Sequence, residues 1–344
     1  MGTGSEPQQT PHLRKNAAGS VPVPFFRGRY ATIGFTMLLT PPMDILNAFT
    51  VDVEDYFHVS AFERRISRDH WDRYASRVAT NTNRILDLLD RHGVKATFFV
   101  LGWVARRHPK LVREIHARGH EIGSHSYRHR LVYEQSPEEF RDDLVESRDV
   151  LEAEIQAPVT AYRAPSFSIT KRSLWALEIL SEEGFRVDSS IFPIAHHNRY
   201  GIAGAEPGIH EITTPSGPLW EFPPSVVRFG RFNLPVGGGG YFRLYPLRLT
   251  LFGLSHIHRT AGRPLMFYVH PWEIDPGQPR LRSGSWQSQF RHYVNLSKTE
   301  RKLTGLFQRF RFARVCDVIR QTTSPQSLSP TGTNPPSRPS HVAT

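Results

Sequence analysis

Carboxylate, imidazole and guanidinium side chains recur in this sequence at the ends of short apolar runs. They are Asp52, Glu54 and Asp55 in AFTVDVED, His125 and His129 after HEIGS, Arg163 after TAY, and His270 at the end of LMFYVH. Two imidazoles and one carboxylate can bind a divalent cation and leave coordination positions for water and substrate. A second carboxylate can take a proton from the attacking water, and a third imidazole can protonate a leaving group. These residue types together predict metal-assisted hydrolysis.

The two histidines of HSYRH are four residues apart. On one turn of a helix this spacing points both imidazoles the same way, so we expect a helical turn here, with the carboxylate ligand coming from another strand end. An HxxxH pair alone is weak evidence for a metal site. The carboxylates of DVED could instead cap the following helix or face water, and His270 could be an ordinary hydrogen-bonded histidine. The combination of all these groups at strand ends favours the site.

Apolar strands alternate with amphipathic helices along the chain. The strands are predicted at 48–53, 96–101, 120–123, 160–163 and 185–187. The helices are predicted at 82–92, through 112 and 115 up to Gly119, after the capping box of Ser136, Pro137 and Glu139, and at 170–183. Repeated βα units imply a parallel sheet, either closed as a barrel or open and doubly wound. In both cases catalytic groups gather at the carboxyl ends of the strands.

The composition is that of a globular protein with a basic surface. Of the 344 residues, 39% are hydrophobic and 22% are charged, which is close to the average for folded domains. The net charge of +11 favours anionic neighbours such as phosphorylated lipid, nucleic acid or acidic glycan, although scattered solvated arginines would give the same excess. Cys316 is the single cysteine, which excludes an intramolecular disulfide framework and a multi-cysteine zinc site.

The ends of the chain differ from its centre. We predict a flexible arm over residues 1–45, a folded region over 46–320 and a disordered Ser/Pro/Thr-rich tail over 321–344. The N-terminus lacks the order of a secretory signal, and no apolar run approaches the ~20 residues of a transmembrane helix. We therefore expect a cytoplasmic protein without a transmembrane segment, which could associate peripherally with the inner membrane.

Four ordered motifs carry a family resemblance. TVDVED, GSHSYRH, RAPSFS and FYVH resemble the motifs of the polysaccharide deacetylases, the NodB-homology enzymes of carbohydrate esterase family 4, over about residues 47–275. VDVEDYFH, GGGGYFRLYP and HPWE are most similar to the branch that accompanies exopolysaccharide export in exosortase-bearing bacteria, with residues 276–320 as a family-specific extension. The resemblance implies an α/β fold, a distorted (β/α) barrel of the polysaccharide deacetylase type, flanked by flexible tails.

The resemblance also implies roles for individual residues. Asp52 matches the catalytic base, His125 and His129 match the metal-binding histidines, Arg163 matches the arginine that orients the base, and His270 matches the catalytic acid. The family motif usually has two adjacent aspartates, whereas Val53 and Glu54 here separate Asp52 from Asp55.

The metal carboxylate is therefore Asp55 or Glu54, and we favour Asp55 because its shorter side chain is the usual ligand type. Asp188 and Glu221 lie where supporting groups for His270 could come from, but both could equally be structural.

The implied reaction is hydrolysis of N-acetyl groups on an amino-sugar polysaccharide or a lipid-linked oligosaccharide, with a divalent cation, Zn²⁺ first among the candidates, and no specific nucleic acid partner. Trp272 and Tyr241 are expected to line the substrate cleft. Two other readings remain open, namely a hydrolase of another linear or cyclic amide and a non-catalytic polysaccharide- or nucleic-acid-binding relative.

Overall fold

The computed structural model describes residues 1, 45–59, 62–63, 65–195, 200–230, 232–281 and 286–324. The arm predicted over 1–45 and the tail predicted over 321–344 therefore lie almost entirely outside the described residues. Within the described ranges, none of the helices has both the length and the apolar character required to cross a bilayer.

Eleven strands are present in the described part of the chain. They are β1 Leu46–Val53, β2 Thr97–Val100, β3 Glu121–Ser124, β4 Ala161–Tyr162, β5 Val187–Asp188, β6 His210–Thr214, β7 Gly217–Glu221, β8 Val226–Phe229, β9 Phe232–Pro235, β10 Met266–Val269 and β11 Arg311–Ala313. Nine form one sheet in the order β10-β1-β2-β3-β4-β5-β7-β6, with β11 beside β1, while β8 and β9 form a separate hairpin. In the large sheet only the β6–β7 pair is antiparallel. The predicted α/β class is confirmed, with the sheet curled into a half-barrel.

Ten α-helices connect and cover these strands within the described ranges. They are α1 Val78–Arg91, α2 Gly102–Arg107, α3 Pro109–Ala117, α4 Pro137–Ile155, α5 Trp175–Glu182, α6 Gly239–Leu244, α7 Leu247–Ala261, α8 Trp286–Tyr293, α9 Leu296–Phe307 and α10 Val315–Thr323. Short 3₁₀ helices occur at Arg68–Arg73, Val132–Glu134, Pro165–Phe167 and Pro271–Ile274. The helix predicted to end near Gly119 is in fact two helices, α2 and α3, and the second begins with Pro109 at its first position.

The central strand β1 is paired with β10 on one side and with β2 on the other. Every residue from Asn47 to Val53 is buried, as expected for a parallel strand that is covered on both faces. The polar side chains on this strand are hydrogen-bonded: Asn47 Nδ2 donates to Arg311 O at 2.9 Å, and Thr50 Oγ1 donates to Phe267 O at 3.1 Å. The strand is thus a rigid support for Asp52 and for the residues that follow it.

The predicted capping box at the start of α4 is confirmed. Glu139 N donates to Ser136 Oγ at 3.2 Å, and Ser136 N donates to Glu139 Oε2 at 2.9 Å. Pro137 occupies the first helical position, where its missing N–H costs nothing. This helix carries Asp143, which contacts the candidate site.

Candidate metal centre and active site

Five polar side chains converge at the carboxyl ends of four parallel strands. Asp52 is the penultimate residue of β1 and Glu54 follows that strand, while His125 follows β3, Arg163 follows β4 and His270 follows β10. Parallel strands end at the same edge of the sheet, so residues distant in sequence meet there. The structure places each of these residues at the edge where the sequence predicted catalytic groups.

Glu54, His125 and His129 form a buried cluster whose ligand atoms all lie within 4.8 Å of one another. Glu54 Oε2 and His129 Nε2 are 2.7 Å apart, and within the described part of the chain Glu54 Oε2 has no well-aligned hydrogen-bond donor. An unsatisfied buried carboxylate oxygen is costly. Lone pairs that converge in this way fit a divalent cation, and two imidazoles with one carboxylate suit Zn²⁺.

Asp55, the carboxylate that the sequence favoured as a ligand, lies outside this cluster. Its Oδ2 accepts hydrogen bonds from Ser76 Oγ at 2.7 Å, from Arg77 N at 2.8 Å and from Val78 N at 3.1 Å, and its Oδ1 accepts one from Tyr56 N at 3.1 Å. Both oxygens are thus occupied at the first turn of α1, whose N–H groups have no partner within the helix. This anchor also explains why α1 begins at Val78 and not at residue 82.

Glu54 therefore corrects the preference for Asp55. Glu54 N donates to Asp52 O at 3.0 Å, so the chain turns directly after β1. Asp52 and Glu54 both approach His270 Nε2, whereas Asp55 binds the N-terminus of α1. The structure thus groups Glu54, and not Asp55, with the two histidines, and the identity of the metal carboxylate stays a prediction.

The helical turn predicted for HSYRH is also wrong. Ser126 and His129 have left-handed φ angles of 66° and 52°, a conformation that is uncommon for residues other than glycine. Asp143 on α4 stabilises this loop because its carboxylate accepts hydrogen bonds from Tyr127 N at 2.7 Å and Arg128 N at 3.0 Å. The loop, not a helix, turns His129 back towards Glu54.

The tautomer of His125 is fixed by its surroundings. Its Nδ1 lies 2.8 Å from the carbonyl oxygen of Arg163, which can only accept, so Nδ1 carries the proton and Nε2 presents a lone pair. Burial lowers the pKa of His125 to about 4, which keeps the ring neutral at neutral pH. Both features suit a metal ligand.

Glu54 is held as a carboxylate. Burial by itself would raise its pKa, but His129, His270 and His125 lower the pKa well below the usual range. Its Oε1 also accepts a hydrogen bond from Trp272 Nε1 at 3.2 Å. The side chain is therefore charged and oriented before any ligand arrives.

Arg163 holds Asp52 through a completely buried guanidinium group. Arg163 Nη1 donates to Asp52 Oδ1 at 2.6 Å and to Thr50 Oγ1 at 2.7 Å. The remaining donors contact the backbone oxygen and the hydroxyl of Ser189 at 3.3 and 2.9 Å and Met266 Sδ at 3.3 Å. With all five N–H groups engaged, Arg163 cannot turn away, and Oδ2 of Asp52 remains available for a proton.

His270 faces the carboxylates of both Asp52 and Glu54. Its Nε2 is 3.8 Å from Asp52 Oδ2 and 3.7 Å from Glu54 Oε1, and its side chain is 18% exposed. Its Nδ1 lies 3.2 Å from Glu273 Oε2. Burial by itself would lower the pKa of His270, but Glu273, Glu54 and Asp52 together raise the pKa to about 9. The ring can therefore carry the proton that a general acid must donate.

Glu273 was not singled out from the sequence, although it belongs to HPWE. It accepts a hydrogen bond from His270 N at 3.0 Å on the 3₁₀ turn that follows β10. Arg243 Nε donates to its other oxygen at 2.7 Å. Burial would raise the pKa of Glu273, but Arg243 and His270 lower the pKa to about 2. The spacing of three residues is the feature that could have identified Glu273 as the partner of His270.

Asp188 and Glu221 do not support His270. They are neighbours in register on β5 and β7, and both are buried. Ser190 Oγ donates to Asp188, and Ile191 N donates to Glu221 Oε1 at 3.2 Å. Burial raises the pKa of Asp188 to about 6 and raises the pKa of Glu221 well above its usual value. At least one of the two carboxyl groups therefore keeps its proton, and the pair does not carry two negative charges.

The protonated pair predicts a pH-dependent stability. The folded state binds these protons more tightly than the unfolded chain, in which the carboxyl groups have a pKa of about 4. The free energy of unfolding should therefore fall as the pH rises from about 4 through 6 and beyond. Glu221→Gln should flatten this fall by about 1–3 kcal/mol between pH 4 and pH 7. Urea unfolding of both proteins across that range measures the difference, and identical slopes would contradict the shared proton.

Trp272 and Tyr241 have different positions. Trp272 is buried and stacks on His270, at a ring distance of 5.1 Å, and on His292, at 4.3 Å. It cannot offer a face to a sugar, so its assignment to the substrate cleft is corrected: it orients Glu54 and His270. Tyr241 is half-buried on α6, at a ring distance of 6.0 Å from Tyr245, and its place in the cleft stays a prediction.

The fold is an open α/β half-barrel with a buried His/Glu cluster that could hold a cation at its strand ends. Residues 70–186 match the model of the polysaccharide deacetylase family, and residues 189–320 match a domain of unknown function, DUF3473. Over residues 70–186 the chain is thus similar to the polysaccharide deacetylase family. The first match includes His125, His129 and Arg163, whereas Asp52, Glu54 and His270 join the site through the fold.

Known proteins show the same likeness. A peptidoglycan-N-acetylglucosamine deacetylase of Bacillus cereus is 36% identical over 98 residues, 28% of this chain and 36% of that protein. A chitooligosaccharide deacetylase of Bradyrhizobium is 35% identical over 101 residues, 29% of this chain and 43% of that protein. The chain thus spans less than half of these curated relatives. A Mycobacterium smegmatis structure provisionally described as a polysaccharide deacetylase is 20% identical to this chain, with a TM-score of 0.56. The superposition covers 87% of this chain and 98% of the M. smegmatis chain, which supports the fold.

Proposed function

We propose that this chain hydrolyses N-acetyl groups on an amino-sugar polysaccharide or its lipid-linked precursor, with a divalent cation as cofactor. The observation that carries the proposal is the position of His270 Nε2, 3.8 Å from Asp52 and 3.7 Å from Glu54. A proton acceptor, Asp52, and a proton donor, His270, thereby lie beside the buried cluster that includes Glu54. The named activities of the relatives from Bacillus and Bradyrhizobium agree with this chemistry.

A cation held by Glu54, His125 and His129 would polarise the amide carbonyl and make a water molecule more acidic. Asp52 accepts the proton of the attacking water at Oδ2, since Arg163 occupies Oδ1. His270 donates a proton from Nε2 to the amide nitrogen, because an amide nitrogen leaves only when protonated. The C–N bond breaks, the water oxygen stays with the acetyl carbon, and the products are acetate and a free amine.

We further propose Zn²⁺ as the cation and exopolysaccharide biosynthesis as the setting. The ligand set of two imidazoles and one carboxylate supports Zn²⁺, although Co²⁺, Ni²⁺ or Fe²⁺ would accept the same ligands. The setting rests on GGGGYFRLYP and HPWE, which resemble the exosortase-associated branch. Both segments lie in the region that matches DUF3473.

The proposal is tested by metal analysis of the purified protein together with acetate release from N-acetylglucosamine oligomers. We expect stoichiometric metal, acetate release, loss of both after chelation, and recovery when Zn²⁺ is returned. A protein that holds no metal and releases no acetate from any acetylated glycan would refute the proposal. Retained metal with hydrolysis of a different amide would assign the same site to another hydrolase.

A further inference from the structure

Large exposed hydrophobic side chains are concentrated in one part of the described chain. Apart from Met1 and Leu174, all of them fall between residues 229 and 290: Phe229, Phe232, Leu234, Leu244, Leu249, Phe252, Trp286 and Phe290. Single exposed apolar residues are ordinary, but several on adjoining elements indicate an interaction surface. Five of the eight belong to the β8–β9 hairpin and to α7.

The β8–β9 hairpin has one apolar face. Phe229 pairs with Phe232 and Val227 pairs with Leu234 in the antiparallel register, and paired residues lie on the same face of a hairpin. Phe229 is 72% exposed at the end of β8. On the other face, Asn233 Nδ2 donates to Pro193 O, which fixes the hairpin to the body of the protein. Phe229, Phe232 and Leu234 on this face are therefore exposed, whereas Val227 is half-buried against the core.

Helix α7 extends this face. Gly253 lies against Val227 and Val236 so closely that an added Cβ would be 3.2 and 3.1 Å from their methyl groups. Leu249, one helical turn before Gly253, is 50% exposed, and Phe252 is exposed beside it. The hairpin and the helix thus present their exposed apolar residues around one contact point.

The chain segment that carries this surface is basic. Residues 222–272 contain six arginines and no aspartate, glutamate or lysine. Arg228, Arg248 and Arg259 are exposed, whereas Arg243 is buried against Glu273. Exposed aromatic and aliphatic residues that are bordered by arginines match the headgroup region of an anionic bilayer, where the apolar groups enter the acyl boundary and the guanidinium groups bind phosphates.

We propose that the hairpin and α7 form a docking surface for an anionic lipid bilayer, made of Phe229, Phe232, Leu234, Leu249 and Phe252 with Arg248 and Arg259. A second copy of the chain fits less well, because a symmetric contact would place these arginines against one another. A lipid surface supplies both the missing negative charge and the apolar layer. The docking surface includes none of Glu54, His125 and His129. Its test can therefore fail or succeed independently of the proposed hydrolysis.

Vesicle sedimentation tests the docking surface. The purified protein should sediment with phosphatidylcholine vesicles that contain phosphatidylglycerol and remain in solution with phosphatidylcholine alone. Phe229→Ser/Phe232→Ser should weaken binding by about tenfold or more. Arg248→Gln/Arg259→Gln should weaken it by roughly fivefold per arginine, with a smaller salt dependence. Leu174→Ser removes an apolar residue that is 45% exposed elsewhere and should bind as the parent protein does.

Circular dichroism and thermal unfolding show whether each variant is folded. If the phenylalanine double variant does not fold, the arginine double variant still tests the docking surface. Absence of binding to anionic vesicles at low salt would overturn the proposal, as would equal binding by the parent and both double variants. Light scattering without vesicles measures whether a second copy of the chain occupies the surface instead. A dimer that dissociates on Phe229→Ser/Phe232→Ser would assign the surface to a second copy and also overturn the proposal.

Discussion

Replacing Glu54 with glutamine is expected to prevent the protein from retaining a divalent cation and to slow acetate release by about a thousandfold. The substitution keeps the length of the side chain and its hydrogen bond from Trp272, but it removes the negative charge from the cluster with His125 and His129. Metal analysis after dialysis and initial rates on N-acetylglucosamine oligomers measure the two effects.

Asp55 provides the matched control. Asp55→Ala should retain the metal, because Asp55 contacts the N-terminus of α1 and not the cluster. It should instead lower the free energy of unfolding by about 2 kcal/mol, since it leaves buried N–H groups without an acceptor. A folded Asp55→Ala protein without metal, next to a Glu54→Gln protein that keeps its metal, would reverse the assignment of the carboxylate.

The positions of most site residues follow from the order of the secondary structure. Strands that alternate with helices must be parallel, so Asp52, His125, Arg163 and His270 had to reach one edge of the sheet. This reasoning uses only local apolar runs and helix caps, which are written in short stretches of sequence. It specifies which side chains approach one another but not which atoms meet.

The errors concern geometry that distant residues impose. The loop after β3 takes left-handed angles at Ser126 and His129 because Asp143, on another element, binds its backbone. Helix α1 starts early because Asp55 reaches it from β1. No periodic pattern records such contacts. Glu273 is different, because Pro271 after His270 already favours a turn that would bring the third residue back.

Two imidazoles stack on the Trp272 indole, and they have different partners. His270 points Nε2 at Asp52 and Glu54, while His292 binds Gln278 through Nε2 at 2.8 Å. Phenylalanine at either position keeps an aromatic ring in the stack and removes the ring nitrogens. His270→Phe is therefore expected to lower kcat by about 10²–10⁴-fold with the metal retained, as general acids typically contribute that much.

His292→Phe should change stability and leave kcat within about twofold, because His292 donates no proton to the substrate. Substrates with different leaving groups distinguish a loss of acid catalysis from a distorted site. An activated aryl acetate releases a phenolate that needs no proton, so His270→Phe should hydrolyse it nearly as fast as the parent protein while failing on the acetamido sugar. Equal losses on both substrates, or equal losses for both phenylalanine variants, would mean that His270 supports the architecture of the site and does not supply the proton.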